Sequence, residues 1–247
     1  MGALVGGVYA AGKLDEFEGW IRTINKFDIV KLLDIAWQRH GLVKGDRIIE
    51  TLIDLVGNQR IEDLPIPYTA VAADIEHEKE IWINSGPLFD AIRASISLPL
   101  FFTPVLYKGT HVIDGGVLNP VPIAPTFNDD NDITIAVNLG GSPVEHESTS
   151  PLPEADAAGS SSLRGRINRF IDDLWESDRD DDEKDVDAYD IADQAFDAMQ
   201  STIARQKLAA YPPDVVLEIA RNACGTLEFD RAAEMIELGR QKARQYI

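Results

Sequence analysis

Cysteine is almost missing from this chain: Cys224 stands alone, which excludes an intrachain disulfide, and there is no Cys/His set with zinc-ligand spacing. Basic residues are also scarce. Twenty-three Lys and Arg face 42 Asp and Glu, and the resulting net charge of -19 repels phosphate backbones and anionic surfaces, so nucleic acid is not an expected partner. Arginine outnumbers lysine and aspartate outnumbers glutamate, a balance compatible with adaptation to high salt. No apolar run reaches the roughly 18 residues that a membrane-crossing helix needs. The apolar opening, Met1 to Ala11, lacks the basic leading region of a signal peptide.

What is present suffices for a full core: 45% of the 247 residues are hydrophobic, an ordinary supply for one α/β domain. Apolar spacing predicts helices over Leu14 to Ile24, Asp28 to Gln38 and from Gly45-Asp46 onward, the last with Asp46 as N-cap and Ile48, Ile49, Leu52, Ile53 and Val56 on one face. Pro67 to Ile75 and Glu80 to Asn84 read as a hairpin joined by the polar Glu76 to Lys79 turn. A helix at Pro87 to Ile96 follows, then short strands at Val105 to Tyr107 and His111 to Ile113, then a buried strand at Asp132 to Leu139. Gly140 to Ser162 shifts to Gly, Ser, Pro and acidic residues. Together with a short amphipathic helix, Leu163 to Trp175, and the acidic run Asp178 to Asp187, it is expected to form a flexible acidic insertion at about 141–187. Helical spacing resumes over Val186 to Leu208, stopped by Tyr211-Pro212-Pro213, and a strand at Val215 to Ile219 and a helix from Phe229 to Ala243 close the chain.

Asp114-Gly115-Gly116 carries the functional signal. An Asp-Gly pair alone is a turn former. Here it follows a strand end at Ile113 and lies downstream of Ala94-Ser95-Ile96-Ser97-Leu98-Pro99-Leu100-Phe101-Phe102-Thr103-Pro104-Val105. Joined with the opening Met1-Gly2-Ala3-Leu4-Val5-Gly6-Gly7-Val8-Tyr9-Ala10, the set resembles the patatin-like phospholipase family. The resemblance implies an α/β fold, a layered α/β/α arrangement with a central, mostly parallel sheet, spanning 1–247 as a single domain. It implies acyl ester hydrolysis by a serine attacking from a Gly-x-Ser-x-Gly elbow and an aspartate acting directly as its base, with no metal or organic cofactor. Carried over, Asp114 is the base, and Gly115 and Gly116 let the chain bend away from it. An ordinary aspartate, near pKa ~3.9, is a weak base at neutral pH, so partial burial beside Ile113, Val117 and Leu118 is expected to raise its proton affinity. Ser95, Ser97 and Pro99 are expected to hold a substrate-facing turn. Leu100, Phe101 and Phe102 fit an acyl pocket and plain core equally well.

The elbow is where the sequence departs from the family. Gly2 matches its closing glycine and Met1 the residue after the serine, so the serine falls one position before Met1. No Gly-x-Ser-x-Gly occurs elsewhere, and the glycine-rich oxyanion loop has no counterpart. The expectation is the C-terminal part of a lipid acyl hydrolase that lacks its N-terminal strands, is inactive as given, and leaves the Gly2 to Ala11 helix little to pack on. Its partners would be a lipid or other acyl ester, with transient peripheral membrane contact and a cytoplasmic location; the sequence does not decide between that and export. Two rivals stand beside this reading: a non-catalytic module whose acidic insertion binds a basic partner, and an esterase of small soluble esters. His111, three residues from Asp114 on a strand, points to the other face. His77 reads as part of a solvated turn, and the Asp178 to Asp187 run lacks the glycine and glutamate of a calcium loop.

Overall fold

The computed structural model describes residues 1–32, 43–99, 101–144, 188–225 and 228–246. The expected acidic insertion, its short helix, Leu100 and the second half of the Asp28 to Gln38 helix lie outside them.

The chain opens with α1 (Gly2–Ala10), α2 (Leu14–Ile21), α3 (Lys26–Leu32) and α4 (Asp46–Val56). In α4 the apolar residues recur every three or four positions, and Leu52 and Val56 are buried. Its N-cap is Gly45, not Asp46. Gly45 has φ 72°, and a Cβ there would come within 2.9 Å of the Phe102 ring, so both conformation and space demand glycine. Asp46 instead occupies the first helical turn, where its carboxylate faces the positive end of the helix dipole.

The hairpin forms as the alternation predicts: β1 (Ala70–Asp74) pairs antiparallel with β2 (Lys79–Ile83), Val71 opposite Trp82. The turn is organised by Asp74, whose carboxylate accepts the amides of Glu76 and His77 and lies 2.8 Å from His77 Nδ1. After α5 (Leu88–Ser95), strands β3 (Val105–Tyr107) and β4 (Thr110–Asp114) complete a four-stranded antiparallel sheet of order β2-β1-β4-β3. Parallel pairing occurs between β5 (Ile135–Gly141) and β6 (Val215–Ala220), with α6 (Ala188–Ala210) packed on β5 and α7 (Ala232–Ala243) on β6.

Helix α5 is the hub: of its eight residues only Asp90 is exposed. It packs on β1, β4, α4 and α1. Contrary to expectation, α1 is well seated. Leu4, Val8 and Ala10 are buried, and Gly7 comes so close to α5 that a Cβ would meet Ile92 Cδ1 at 3.0 Å and Leu88 Cδ1 at 3.1 Å. Burial of Leu4 and Val8 contributes about 1.5–3 kcal/mol each. On the outer face of α1, Val5 and Tyr9 are exposed. Strand β5 is a second correction. It is not buried on both faces: Ala136 and Asn138 are buried, whereas Ile135, Val137 and Leu139 are exposed.

Candidate active site

Asp114 sits at the end of β4, opposite Ala72 of β1, and its backbone N–H donates to the Ser97 carbonyl at 2.9 Å. The chain then makes a short 3-10 turn over Gly115–Val117, and Asp114 Oδ1 accepts the Gly116 N–H at 2.7 Å. The carboxylate therefore caps its own turn and holds a fixed orientation. The two glycines serve a purpose different from the one expected. Neither has a positive φ. What they supply is room: a Cβ on Gly115 would lie 2.1 Å from the Val71 carbonyl oxygen, and one on Gly116 would lie 3.0 Å from both Asp114 Oδ1 and Gln200 Nε2.

One side of Asp114 opens on a cavity of about 180 Å³. Its wall is built from Leu4 of α1, Phe17 and Trp20 of α2, Ile29 of α3, Leu52 of α4 and the loop residues Leu98, Phe101 and Phe102. Phe229, from the C-terminal part, completes it. Among the described lining residues Asp114 carries the only ionisable side chain. Burial raises its pKa above the ordinary carboxylate range; the α-amino group of Met1 and the Gly116 amide pull it partly back. The desolvating atoms come from helices distant in sequence as well as from its neighbours Ile113 and Val117. Phe101 and Phe102 are thus cavity wall, stacked edge to face at 4.7 Å.

The remaining sequence-predicted residues separate into those at the cavity and those behind it. Met1 lines the cavity, and its α-amino group is close enough to Asp114 to influence its titration. Gly2 has open space around it, since an added Cβ meets nothing within 4 Å. Ser95 Oγ donates to the Val71 carbonyl at 2.7 Å, and Ser97 Oγ to the Arg93 carbonyl at 2.7 Å; both serines are buried. Pro99 is half-buried in the loop between Ser97 and Phe101. His111 is exposed and is not among the residues that line the cavity.

Sequence reading missed three groups. Gln200 on α6 places its amide over Gly116. Glu80, half-buried beside the buried Asn119, receives Asn119 Nδ2 at 2.9 Å, Trp82 Nε1 at 3.0 Å and Lys207 Nζ at 2.7 Å, which ties the loop after Gly116 to β2 and α6. Arg93 is buried beneath the Ser97 to Thr103 loop. A lone arginine among the apolar residues Phe89, Ala91, Ile92 and Ala94 was the available signal for the last.

The family model for patatin-like phospholipase matches residues 1–127, which takes in α1, the cavity loop and the Asp114 turn. An uncharacterized NTE family protein of Mycobacterium tuberculosis is 37% identical, over 99% of this chain and 80% of its own length. Lysophospholipase NTE1 of Yarrowia lipolytica is 24% identical over 69% of this chain and 12% of its own length. Neuropathy target esterase sws of Drosophila melanogaster is 26% identical over 57% of this chain and 10% of its own.

Proposed function

Because the chain belongs to the patatin-like phospholipase family, a family of lipid hydrolases, we propose that it supplies the base and the acyl-binding cavity of a lipid acyl ester hydrolase, with Asp114 as the base. The observation that carries this reading is the placement of a single carboxylate, raised in pKa by burial, in an otherwise apolar cavity. Apolar walls favour an acyl chain over a polar substituent. A base whose proton affinity has been moved toward neutrality is suited to accept a hydroxyl proton.

In the proposed reaction a serine hydroxyl gives its proton to Asp114 as its oxygen attacks the ester carbonyl. Collapse of the tetrahedral intermediate expels the alcohol, which takes the proton back from Asp114, and leaves an acyl-serine with Asp114 again ionised. Water then attacks that ester, Asp114 accepts its proton, and the fatty acid and free serine are released. On this reading the serine is joined directly ahead of Met1; the match of Met1-Gly2 to the end of the elbow motif and the presence of Met1 beside Asp114 in the cavity lining support it. The 247 residues by themselves then bind but do not turn over ester. No helix among the described residues is long and apolar enough to cross a membrane, and the lipid is taken from a membrane surface by peripheral contact.

The test compares the 247-residue chain with a form extended upstream to carry Gly-x-Ser directly before Met1. The extended form is expected to hydrolyse a short-chain p-nitrophenyl ester and to label with a fluorophosphonate at that serine. Asp114→Asn in the extended form is expected to abolish both. Full hydrolysis by the Asp114→Asn form removes Asp114 from the role of base.

A further inference from the structure

Arg93 lies on α5, on the far side of the cavity loop from the substrate space, and it is 9% exposed. A buried guanidinium remains charged and has five N–H groups to satisfy. Here its two terminal nitrogens serve the Ser97 to Thr103 loop and the backbone just ahead of α4. Nη1 donates to Ser97 Oγ at 2.7 Å, and Nη2 donates to the Thr103 carbonyl at 3.3 Å and to the Lys44 carbonyl. The Phe102 ring packs against the guanidinium, 5.2 Å from its carbon. Burial lowers the arginine's pKa and Asp46 works against that, yet no carboxylate hydrogen bond to Arg93 occurs among the described residues. Its partners are carbonyls and hydroxyls of the loop that builds the site, together with the Lys44 carbonyl ahead of α4.

Two of those partners connect to chemistry. Ser97, fully buried, returns a hydrogen bond from its Oγ to the Arg93 carbonyl, so its position is fixed from both sides. The Ser97 carbonyl in turn accepts the Asp114 N–H at 2.9 Å. Phe102, pinned between Arg93 and Gly45, is cavity wall. A planar fork reaches three acceptors at once, which a lysine's single ammonium on a flexible stem cannot reproduce.

We propose that Arg93 is a positioning residue for the base: through Ser97 it sets the backbone of Asp114, and through Thr103 and Phe102 it sets the cavity wall facing that carboxylate. Its catalytic meaning rests on the assignment of Asp114 as base, whereas its structural content stands alone. A residue kept only for bulk or stability would not need a charge at this site, since an apolar side chain of similar volume fills buried space at lower desolvation cost.

The experiment has two arms. In the 247-residue chain, amide hydrogen exchange is followed by NMR for the parent, Arg93→Lys and Ser97→Ala. The Asp114 amide is expected to exchange at least about tenfold faster in both variants, while the β1–β2 ladder amides keep the parent's rates. Unchanged protection of Asp114 in both variants, or a rise shared equally by the β1–β2 ladder, overturns the proposal. In the extended serine-bearing form, Arg93→Lys is expected to lower kcat about tenfold or more with KM within a fewfold, and to move the acid limb of the pH profile. An unaltered kcat and acid limb also overturn it. If the extended parent hydrolyses nothing while Asp114 exchange responds as stated, the hydrolase reading fails and the positioning of Asp114 by Arg93 survives.

Discussion

Gly115→Ala is the substitution whose outcome the geometry constrains most tightly. A Cβ at this position would stand 2.1 Å from the Val71 carbonyl oxygen and 2.6 Å from its carbon, against a practical minimum near 3.0 Å, so roughly 1 Å of backbone movement is required. Neither partner can yield by changing rotamer. The oxygen belongs to β1, between β2 and β4, and it also accepts Ser95 Oγ. Overpacking of this kind costs about 1–3 kcal/mol or more, and in a chain of this size each kcal/mol lowers the melting temperature by about 2–4 °C. Gly2→Ala is the matched control. It adds the same methyl where nothing lies within 4 Å, and is expected to stay within about 0.5 kcal/mol of the parent. Urea unfolding of the parent and both variants makes the comparison directly. In the extended form a 1 Å displacement of the Asp114 turn is further expected to reduce turnover on the order of 100-fold. If Gly115→Ala proves as stable as Gly2→Ala, the close approach of β1 to the turn is not a feature of the molecule.

Two further expectations concern charge. Because burial raises the pKa of Asp114 in the folded chain, its contribution to stability is present below the unfolded pKa and is lost as pH rises through the folded value. Asp114→Asn removes that decline, so the melting temperature of the parent relative to Asp114→Asn should fall from acid toward neutral pH; a difference independent of pH contradicts the burial argument. The Glu80–Lys207 pair, at 2.7 Å with both side chains mostly buried, is expected to show a coupling of about 1–2 kcal/mol in a double-mutant cycle of Glu80→Gln and Lys207→Met, read by urea unfolding at neutral pH. Additive single effects would reduce it to a surface contact.

The hairpin, the Asp114 turn and the helical first third were legible because each depends on local pattern: alternation around Trp82, turn-forming glycines, and three-to-four-residue apolar spacing in α2 and α4. The burial of β5 was not. Ile133, Ile135, Val137 and Leu139 alternate along one face and read as the buried side of the strand, yet all four are exposed while Ala136 and Asn138 are buried; which face meets α6 is decided by topology. The purpose of Gly115 was equally hidden, because a requirement for room is set by a strand more than forty residues away and leaves no trace in the Asp-Gly-Gly triplet. Asp46 misled for a local reason. It is a residue type favoured at N-caps, but the left-handed turn at Gly45 displaces the cap by one position. At the site itself, Asp114 was identified from its motif, whereas Arg93, Glu80 and Gln200 act through contacts between distant parts of the chain.

Those contacts also bear on the order in which the molecule can be finished. Helix α6 touches the Asp114 turn through Gln200 and grips Glu80 through Lys207, two positions seven residues apart and so on nearly the same helix face. The second contact closes a loop of 127 residues. During synthesis, β1, β2, β4 and α5 can assemble from the first half of the chain, but the turn that presents the carboxylate is braced only after more than eighty further residues have emerged and α6 has docked. Bracing of the Asp114 turn therefore waits for α6, and the cavity in front of the carboxylate, whose wall includes Phe229, is completed later still.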